Sequence, residues 1–517
     1  MSIIVTKKPE LKKEVNEVTI KSYWLSIGEL RLDASFHSQG ISRATELLEK
    51  SGYELASLED FAKEVFYLPR YKRHFAEQTV GEPYLMPSEL FFFPFSPSKF
   101  IYAEKLKKLE DWYVKEGWIL LTRSGKLGKI AIATKTLERF IISDDVIRII
   151  PQDKSHSGFL YAYLSTWTGN ALLTKDQYGV AVHHIESHHA KSVKTPLLPK
   201  EIRRIIHNNI LKVFKLREEA RTLLAKSQKD LLQELDLPRA KEPPRVEPFS
   251  VKSSNLDFRF DASYHNPMVK NVKEELQRCK YKPEKLGRNI QEPFFPNRFK
   301  RVYVAKEYGV PFLSGTNIVQ IKPYDLKYLS KRVTTELETC IVHEGWVLIT
   351  RSGTVGRVAL VPLHWDGWAV TEHVMRLIPI PEKINKGFLT SFLQNEYGHL
   401  QVTSKIYGGV VDELAEDDMK DVLIPIPPLD IQEKIGYSVI RAYELKELAN
   451  KIEDETVKTL EGMLAKHRKV EKAIEYFKDI EAYAETFDLI GDEEFRESLE
   501  QAKRGKVVPF EGTPKEQ

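Results

Sequence analysis

The 517-residue chain is 42% hydrophobic and 29% charged, which fits a globular protein and makes it too long for one ordinary core. A formal net charge of +4 excludes a globally basic surface, so any grip on nucleic acid has to come from local patches. Two cysteines, Cys279 and Cys340, exclude a disulfide framework and a four-cysteine zinc site, and no apolar run approaches the roughly 20 residues that span a bilayer.

The first segment, 1–19, opens MSIIVTKKPELKKEV and turns charged too early for a secretion signal, so a cytoplasmic location is expected. In Arg31-Leu-Asp-Ala-Ser-Phe-His37, Asp33, Ser35 and His37 have the ingredients of a nucleophilic triad. On a helix Ser35 would point about 200° away from Asp33, and on a strand the three would sit about 6–7 Å apart, so a helix start with a packed aromatic is expected instead. The stretch Arg70-Tyr-Lys-Arg-His-Phe75 interleaves basic and aromatic residues. Arg70, Lys72 and Arg73 are therefore candidates for phosphate or base-edge contacts, the alternative being a charged surface strand.

EGWILLTRSGKLGKIAI, residues 116–132, reads as strand, tight turn, strand. A nucleotide P-loop needs four residues between its glycines and a helix after them, whereas two residues separate Gly125 from Gly128 and a strand follows. The Gly-x-x-Gly loop of RNA-binding KH domains joins two helices, which this one does not. The turn offers Arg123, Ser124 and Lys126 either to DNA or, for the arginine, to a local carboxylate such as Glu116. Tyr178-Gly179 follows as another candidate contact. The cluster His183-His184-Ile-Glu-Ser-His188-His189 has spacings that could hold a metal, but a capping or solvated helical segment is expected.

A helical stripe then runs through Ile202, Ile206, Ile210, Val213, Leu216, Ala220, Leu223, Ser227, Leu231 and Leu235. Its roughly 35 residues make a rod of about 50 Å, and such a rod wants a partner rod, the alternative being an amphipathic helix that lies on its own domain. A Pro-rich break, Pro238 to Pro248, ends it.

The chain then repeats itself. Arg259-Phe-Asp-Ala-Ser-Tyr-His265 restates residues 31–37 at an offset of 228, with Asp261, Ser263 and His265 in the triad-like positions. The same offset yields Arg298, Lys300 and Arg301, Pro311-Phe-Leu, and the hairpin EGWVLITRSGTVGRVAL with Arg351 and Ser352. Thr354 replaces Lys126, which further disfavours a shared phosphate-gripping lysine, and Glu344 replaces Glu116 as a local partner for the arginine. Thr316 and Asn317 join the candidate DNA contacts. One inserted residue later the offset is 229: Tyr407-Gly408, Asp412 to Asp418 opposite the histidine cluster, and a second stripe. That stripe is Ile431, Ile435, Val439, Ala442, Leu445, Ala449, Ile452, Thr456, Leu460 and Leu464. The seam between the helices is expected at Ile206, Ile210, Val213, Leu216, Leu223 and Leu231 against Ile435, Val439, Leu445, Ile452 and Leu460.

The expected segments are 1–19, a first head 20–199, a long helix 200–237, a linker 238–256, a second head 257–428, a second helix 429–470 and an acidic, helix-like extension 471–517. The expected fold class is α+β: two α/β heads in tandem, held apart by two long helices that form an antiparallel coiled coil with pseudo-two-fold symmetry.

The paired hairpins, the Tyr-Gly elements and Pro425-Ile-Pro-Pro-Leu-Asp-Ile-Gln432 leading into a long helix resemble the specificity subunits of type I restriction-modification enzymes. The first copy has a degenerate version of the last phrase, Pro196-Leu-Leu-Pro-Lys-Glu-Ile-Arg203. The resemblance covers about residues 18–470 and implies two target-recognition domains, each reading half of a bipartite duplex sequence, with the coiled coil as a ruler. Half-sites on one face of B-DNA would then lie about 10 base pairs apart. It also implies a chain without chemistry of its own, two methyltransferase subunits that bring S-adenosylmethionine, and restriction-translocase subunits that bring ATP and Mg. Neither an Asn/Asp-Pro-Pro-Tyr/Phe methyltransferase motif nor a Walker A loop occurs in the sequence. Competing readings are a specificity subunit of a methyltransferase without restriction, a self-sufficient metal nuclease built on the histidine cluster, and a protein scaffold.

Overall fold

The computed structural model describes residues 39–179, 182–239, 248–256, 259–409, 411–465 and 470–486. Asp33, Ser35, His37 and the extension past Thr486 lie outside them.

In the first head the apolar runs become ten strands: β1 (Leu55–Ser57), β2 (Ala62–Phe66), β3 (Phe75–Ala76), β4 (Glu82–Leu85), β5 (Lys99–Ile101), β6 (Ile119–Thr122), β7 (Ile130–Ile132), β8 (Ile141–Ile142), β9 (Val146–Pro151) and β10 (Lys194–Pro196). They form one sheet ordered β2-β9-β6-β7, a second ordered β3-β5-β4-β8, and the small pair β1-β10. Strand β6 has four consecutive buried residues because both its faces are covered. Ile119 and Leu121 face the helical core, while Leu120 packs with Leu85 and Ile142 of the second sheet.

The second head repeats this plan with β11 (Pro283–Lys285), β12 (Gly309–Leu313), β13 (Lys327–Ser330), β14 (Val347–Thr350), β15 (Val358–Leu360), β16 (Ala369–Val370), β17 (Val374–Leu377) and β18 (Leu423–Pro425). Its sheets are β15-β14-β17, β13-β12-β16 and β11-β18. The counterpart of β2 shrinks to two isolated bridges, Ile290 with Pro379 and Phe294 with Arg376. Pro293 stands where the first head has Val65, and a proline cannot donate to a ladder.

One buried arginine stitches the two sheets of each head. Arg148 on β9, fully buried, donates to the carbonyls of Ile142 at 2.9 Å and Val146 at 2.9 Å. Arg376 on β17 donates to the carbonyls of Thr371 at 3.0 Å and Cys340 at 3.1 Å. Burial pushes both guanidinium groups down to about 10, which still leaves them charged at neutral pH.

The two stripes form helices Lys200–Leu235 and Leu429–Leu464, 36 residues each, packed along one another. The seam residues are buried with one exception, Leu223, which is only half-buried while Leu224 is 3% exposed. The reason is periodic: Ile202, Val213, Leu224 and Leu235 recur every 11 residues, so from Ala220 the buried face steps four residues to Leu224 and three to Ser227, where the expected stripe stepped three to Leu223 and then four. The matched polar positions Ser227 and Thr456 are both fully buried, and the Ser227 hydroxyl lies 2.6 Å from that of Ser391.

Each head docks on the rod through an inner helix, Ser157–Ser165 in the first and Lys386–Gln394 in the second. Gly158 and Gly387 allow the closest approach, since a Cβ at either would collide with the backbone of His207 or Gly436 respectively. The helix Val470–Thr486 packs back on both rods: Phe477 is buried, and Tyr476 donates to Glu455 at 2.8 Å. The heads are not held wholly apart, because the loop after Leu90 meets the loop after Ile318 in an antiparallel bridge between Phe92 and Gln320. No helix among the described residues is long and apolar enough to cross a membrane.

Candidate nucleic-acid interface

The repeated Thr-Arg-Ser-Gly hairpin is an internally braced turn. Thr122 Oγ1 donates to the carbonyl of Lys126 at 2.6 Å and accepts from the amide of Lys129 at 3.1 Å. Thr350 makes the same pair with Thr354 at 2.6 Å and Arg357 at 2.9 Å. Gly125 and Gly353 adopt φ of 74° and 77°, which suits glycine at the tip.

The arginine of that motif turns inward. Arg123 is 7% exposed, donates to Glu186 at 2.7 Å and lies 4.1 Å from the Tyr67 ring. Burial alone would raise the Glu186 carboxyl, but hydrogen bonds from Tyr178, Tyr67 and Arg123 hold it below the usual range. Arg351, also 7% exposed, donates to Glu413 at 3.0 Å and lies 3.9 Å from the Phe295 ring. The carboxylate partners are therefore Glu186 and Glu413, in place of Glu116 and Glu344. Glu116 is exposed, and Glu344 instead pairs with Lys386 at 3.2 Å. Ser124 and Ser352 are half-buried and bridge His184 and Glu413 through their backbones.

The histidine segment belongs to the same brace. Its short helix is Ser187–Lys191, and His189 Nδ1 accepts the Glu186 amide at 3.1 Å. Among the described residues, no group of three or more His, Cys, Asp or Glu could hold a metal ion. The second triad-like set is likewise structural: Arg259 pairs with Asp261 at 2.6 Å, and the His265 ring meets the Arg259 carbonyl at 2.7 Å.

Two further candidates hold loops. Arg73 donates to Asp144 at 2.7 Å and lies 3.3 Å from Asp145, while Arg301 reaches Glu372, the matched residue, at 2.6 Å. Asn317 organises its own turn, accepting from Ser314 at 2.7 Å and donating to Gln320 at 2.9 Å. Tyr178 and Tyr407 are exposed at the rim, and the Tyr178 hydroxyl bonds Glu186.

What stays at the surface is a different subset. Arg70, Lys72, Lys300 and Thr316 are exposed, and Arg298 is exposed with Glu413 3.8 Å away. Lys126 is exposed and pairs with Asp325 of the other head at 3.0 Å. Arg301, Tyr303, Lys327, Ser352, Arg357 and His373 of the second head, with Ser88 and Lys126 of the first, line an open cleft of about 690 Å³.

The structure adds one matched pair that the sequence reading missed. Lys327 lies 4.7 Å from the exposed Tyr303 ring, and Lys99 lies 5.4 Å from the exposed Phe75 ring. These four residues obey the offset of 228, which was the available signal. An exposed aromatic capped by a lysine, near exposed basic side chains, can meet a sugar or base with its ring and a phosphate with its charge.

The sequence model of the type I restriction modification DNA specificity domain matches residues 55–221 and again 298–455. The chain belongs to this DNA specificity family. Each matched segment runs from a head into its long helix, so the family's unit is head plus rod and the chain is a specificity subunit holding two of them. Among solved structures, the S subunit of the type I system from M. genitalium is 13% identical, covering 80% of this chain and 96% of its own, with a TM-score of 0.32. The HsdS subunit from Thermoanaerobacter tengcongensis is 16% identical, covering 80% and 96%, with a TM-score of 0.27. No curated protein sequence matches the chain. Assignment to the specificity family rests on the doubled sequence match.

Proposed function

We propose that this specificity subunit reads a bipartite duplex sequence, one half with each head, and contributes recognition without chemistry of its own. The observation that carries the reading is the matched pair of exposed aromatic-lysine edges, Phe75 with Lys99 and Tyr303 with Lys327, one in each head of a pseudo-two-fold chain. Arg70, Lys72, Arg298, Lys300 and Lys126 supply phosphate contacts, while Arg73, Arg301, Arg123 and Arg351 hold the reading loops in shape. Two equivalent rod surfaces suit two methyltransferase subunits carrying S-adenosylmethionine, with restriction subunits carrying ATP and Mg joining that complex in the cytoplasm.

The test is to sequence the methylome of a host expressing this chain with its methyltransferase. A bipartite methylated motif that disappears with the chain is expected. Exchanging the first head for another should change one half-site alone. Absence of any chain-dependent motif, or a change in both halves at once, would overturn the reading.

A further inference from the structure

The bridge between the heads sits on the pseudo-dyad. Phe92 and Gln320 differ by 228, the offset of the repeat, so each is the other's counterpart. The Phe93 amide donates to the carbonyl of Val319 at 2.7 Å, and its mirror, the Ile321 amide, donates to the carbonyl of Phe91 at 2.7 Å. All four side chains from Phe92, Phe93, Gln320 and Ile321 are at most 5% exposed. The junction is anchored on the second rod: Asn450 donates to the Ile321 carbonyl at 2.8 Å, and Tyr443 packs edge-on to Phe93 at 5.5 Å. At its margin Asp325 of the second head pairs with Lys126 and Lys129 of the first, both at 3.0 Å.

We infer that this head-to-head junction, together with the rod, fixes the number of unread base pairs between the two half-sites. The inference rests on the proposed two-headed reading. A head attached only to a rod can swivel on its docking helix. A second, independent connection at the dyad closes a loop through head, rod, head and junction, and a closed loop of rigid parts has one geometry. Adding one base pair moves a half-site by about 3.4 Å and turns it by about 34–36°. Backbone hydrogen bonds hold their geometry within a few tenths of an ångström, so the intact junction rejects that step. The Asp325 pairs are weak singly, so the margin is tested by reversing the charge, which turns two attractions into a repulsion that pries the buried bridge apart.

The experiment uses the full chain with its methyltransferase on duplexes that keep both half-sites and vary the gap by one base pair either way. Asp325→Lys sets three lysines against one another, and Ile321→Pro removes the donor to Phe91. Wild type is expected to methylate one gap length. Both variants are expected to keep the half-site bases but methylate the neighbouring gaps at a tenth or more of the cognate rate. If Ile321→Pro fails to assemble, Asp325→Lys carries the test alone. Assembled variants that keep the single gap of wild type, or a wild type that accepts all three gaps equally, would overturn the inference. Absence of chain-dependent methylation at any gap would instead strike the proposed function.

Discussion

Glu453 is the point where both rods and both heads meet, and Glu453→Gln should unlock them together. Its carboxylate accepts from Arg217 on the first rod and from Tyr161 of the first head at 2.8 Å, and it lies 3.4 Å from Lys322 of the second head. Burial opposes its charge, but Arg217, Lys322 and Tyr161 together hold its carboxyl down at about 2, against an ordinary value of 4.5. That difference corresponds to roughly 3 kcal/mol at neutral pH. Removing one partner of a buried pair independently suggests about 3–5 kcal/mol, because the buried Arg217 would lose its carboxylate and be left with neutral partners, Asn450 at 2.7 Å and Tyr161. A depressed carboxyl stabilises the fold fully above pH 4.5, and that contribution fades as pH falls toward 2. Urea unfolding at pH 7 should show a loss of about 3 kcal/mol in Glu453→Gln, with a flatter acid limb than wild type. A double-mutant cycle with Arg217→Met should show a coupling of similar size. A variant within about 0.5 kcal/mol of wild type, or additive single mutants, would refute the argument.

Leu216→Asp combined with Leu445→Asp puts charges into the seam at about 4 kcal/mol or more, and size-exclusion chromatography with the methyltransferase should show no complex. Lys446 is buried with rings of Phe93, Trp365 and Tyr443 at 4.7–5.2 Å, and burial pushes its ammonium down to about 7. The unfolded chain therefore binds the extra proton between about pH 7 and 10.5, so the Lys446 contribution to stability rises across that window, opposed below about pH 8 by the neighbouring Glu447, whose carboxyl burial pushes up to about 8. Lys446→Met should raise the unfolding free energy at pH 7 by about 1–4 kcal/mol, read from urea melts, and abolish that rise. Arg298→Ala with Lys300→Ala should weaken DNA binding on every sequence and lower the slope of log affinity against log salt by about two, measured by fluorescence anisotropy.

Much of the architecture was legible because a duplicated chain checks itself: a stripe or hairpin that recurs at one offset is under structural demand in both places. The limits were also physical. The expected stripe stepped from Ala220 by three to Leu223 and by four to Ser227, steps of four and three through Leu224 fit the sequence equally well, and the 11-residue recurrence of buried Ile202, Val213, Leu224 and Leu235 decides for Leu224. The head-to-head junction was invisible because its bonds are made by main-chain groups, and Phe92 and Gln320 share no side-chain chemistry that a comparison of copies would flag. The buried stitching arginines, Arg148 and Arg376, obey the offset of 228, but nothing in the sequence shows that their partners are carbonyls.

The arginines of the repeated hairpin show why duplication misleads about binding. Arg123 and Arg351 occupy the same place, yet Glu186 aligns with Ala415, and Glu413 aligns with His184. The partner carboxylate has moved two residues along an extended segment, which keeps it on the same face and preserves the ion pair. A charge kept in both copies while its partner relocates is being held for the framework. Two heads that read different half-sites need a constant brace and variable contacts, so residues repeated with buried partners belong to the brace. Exposed residues without such partners, such as Arg70, Lys72 and Lys300, are where discrimination has room to differ.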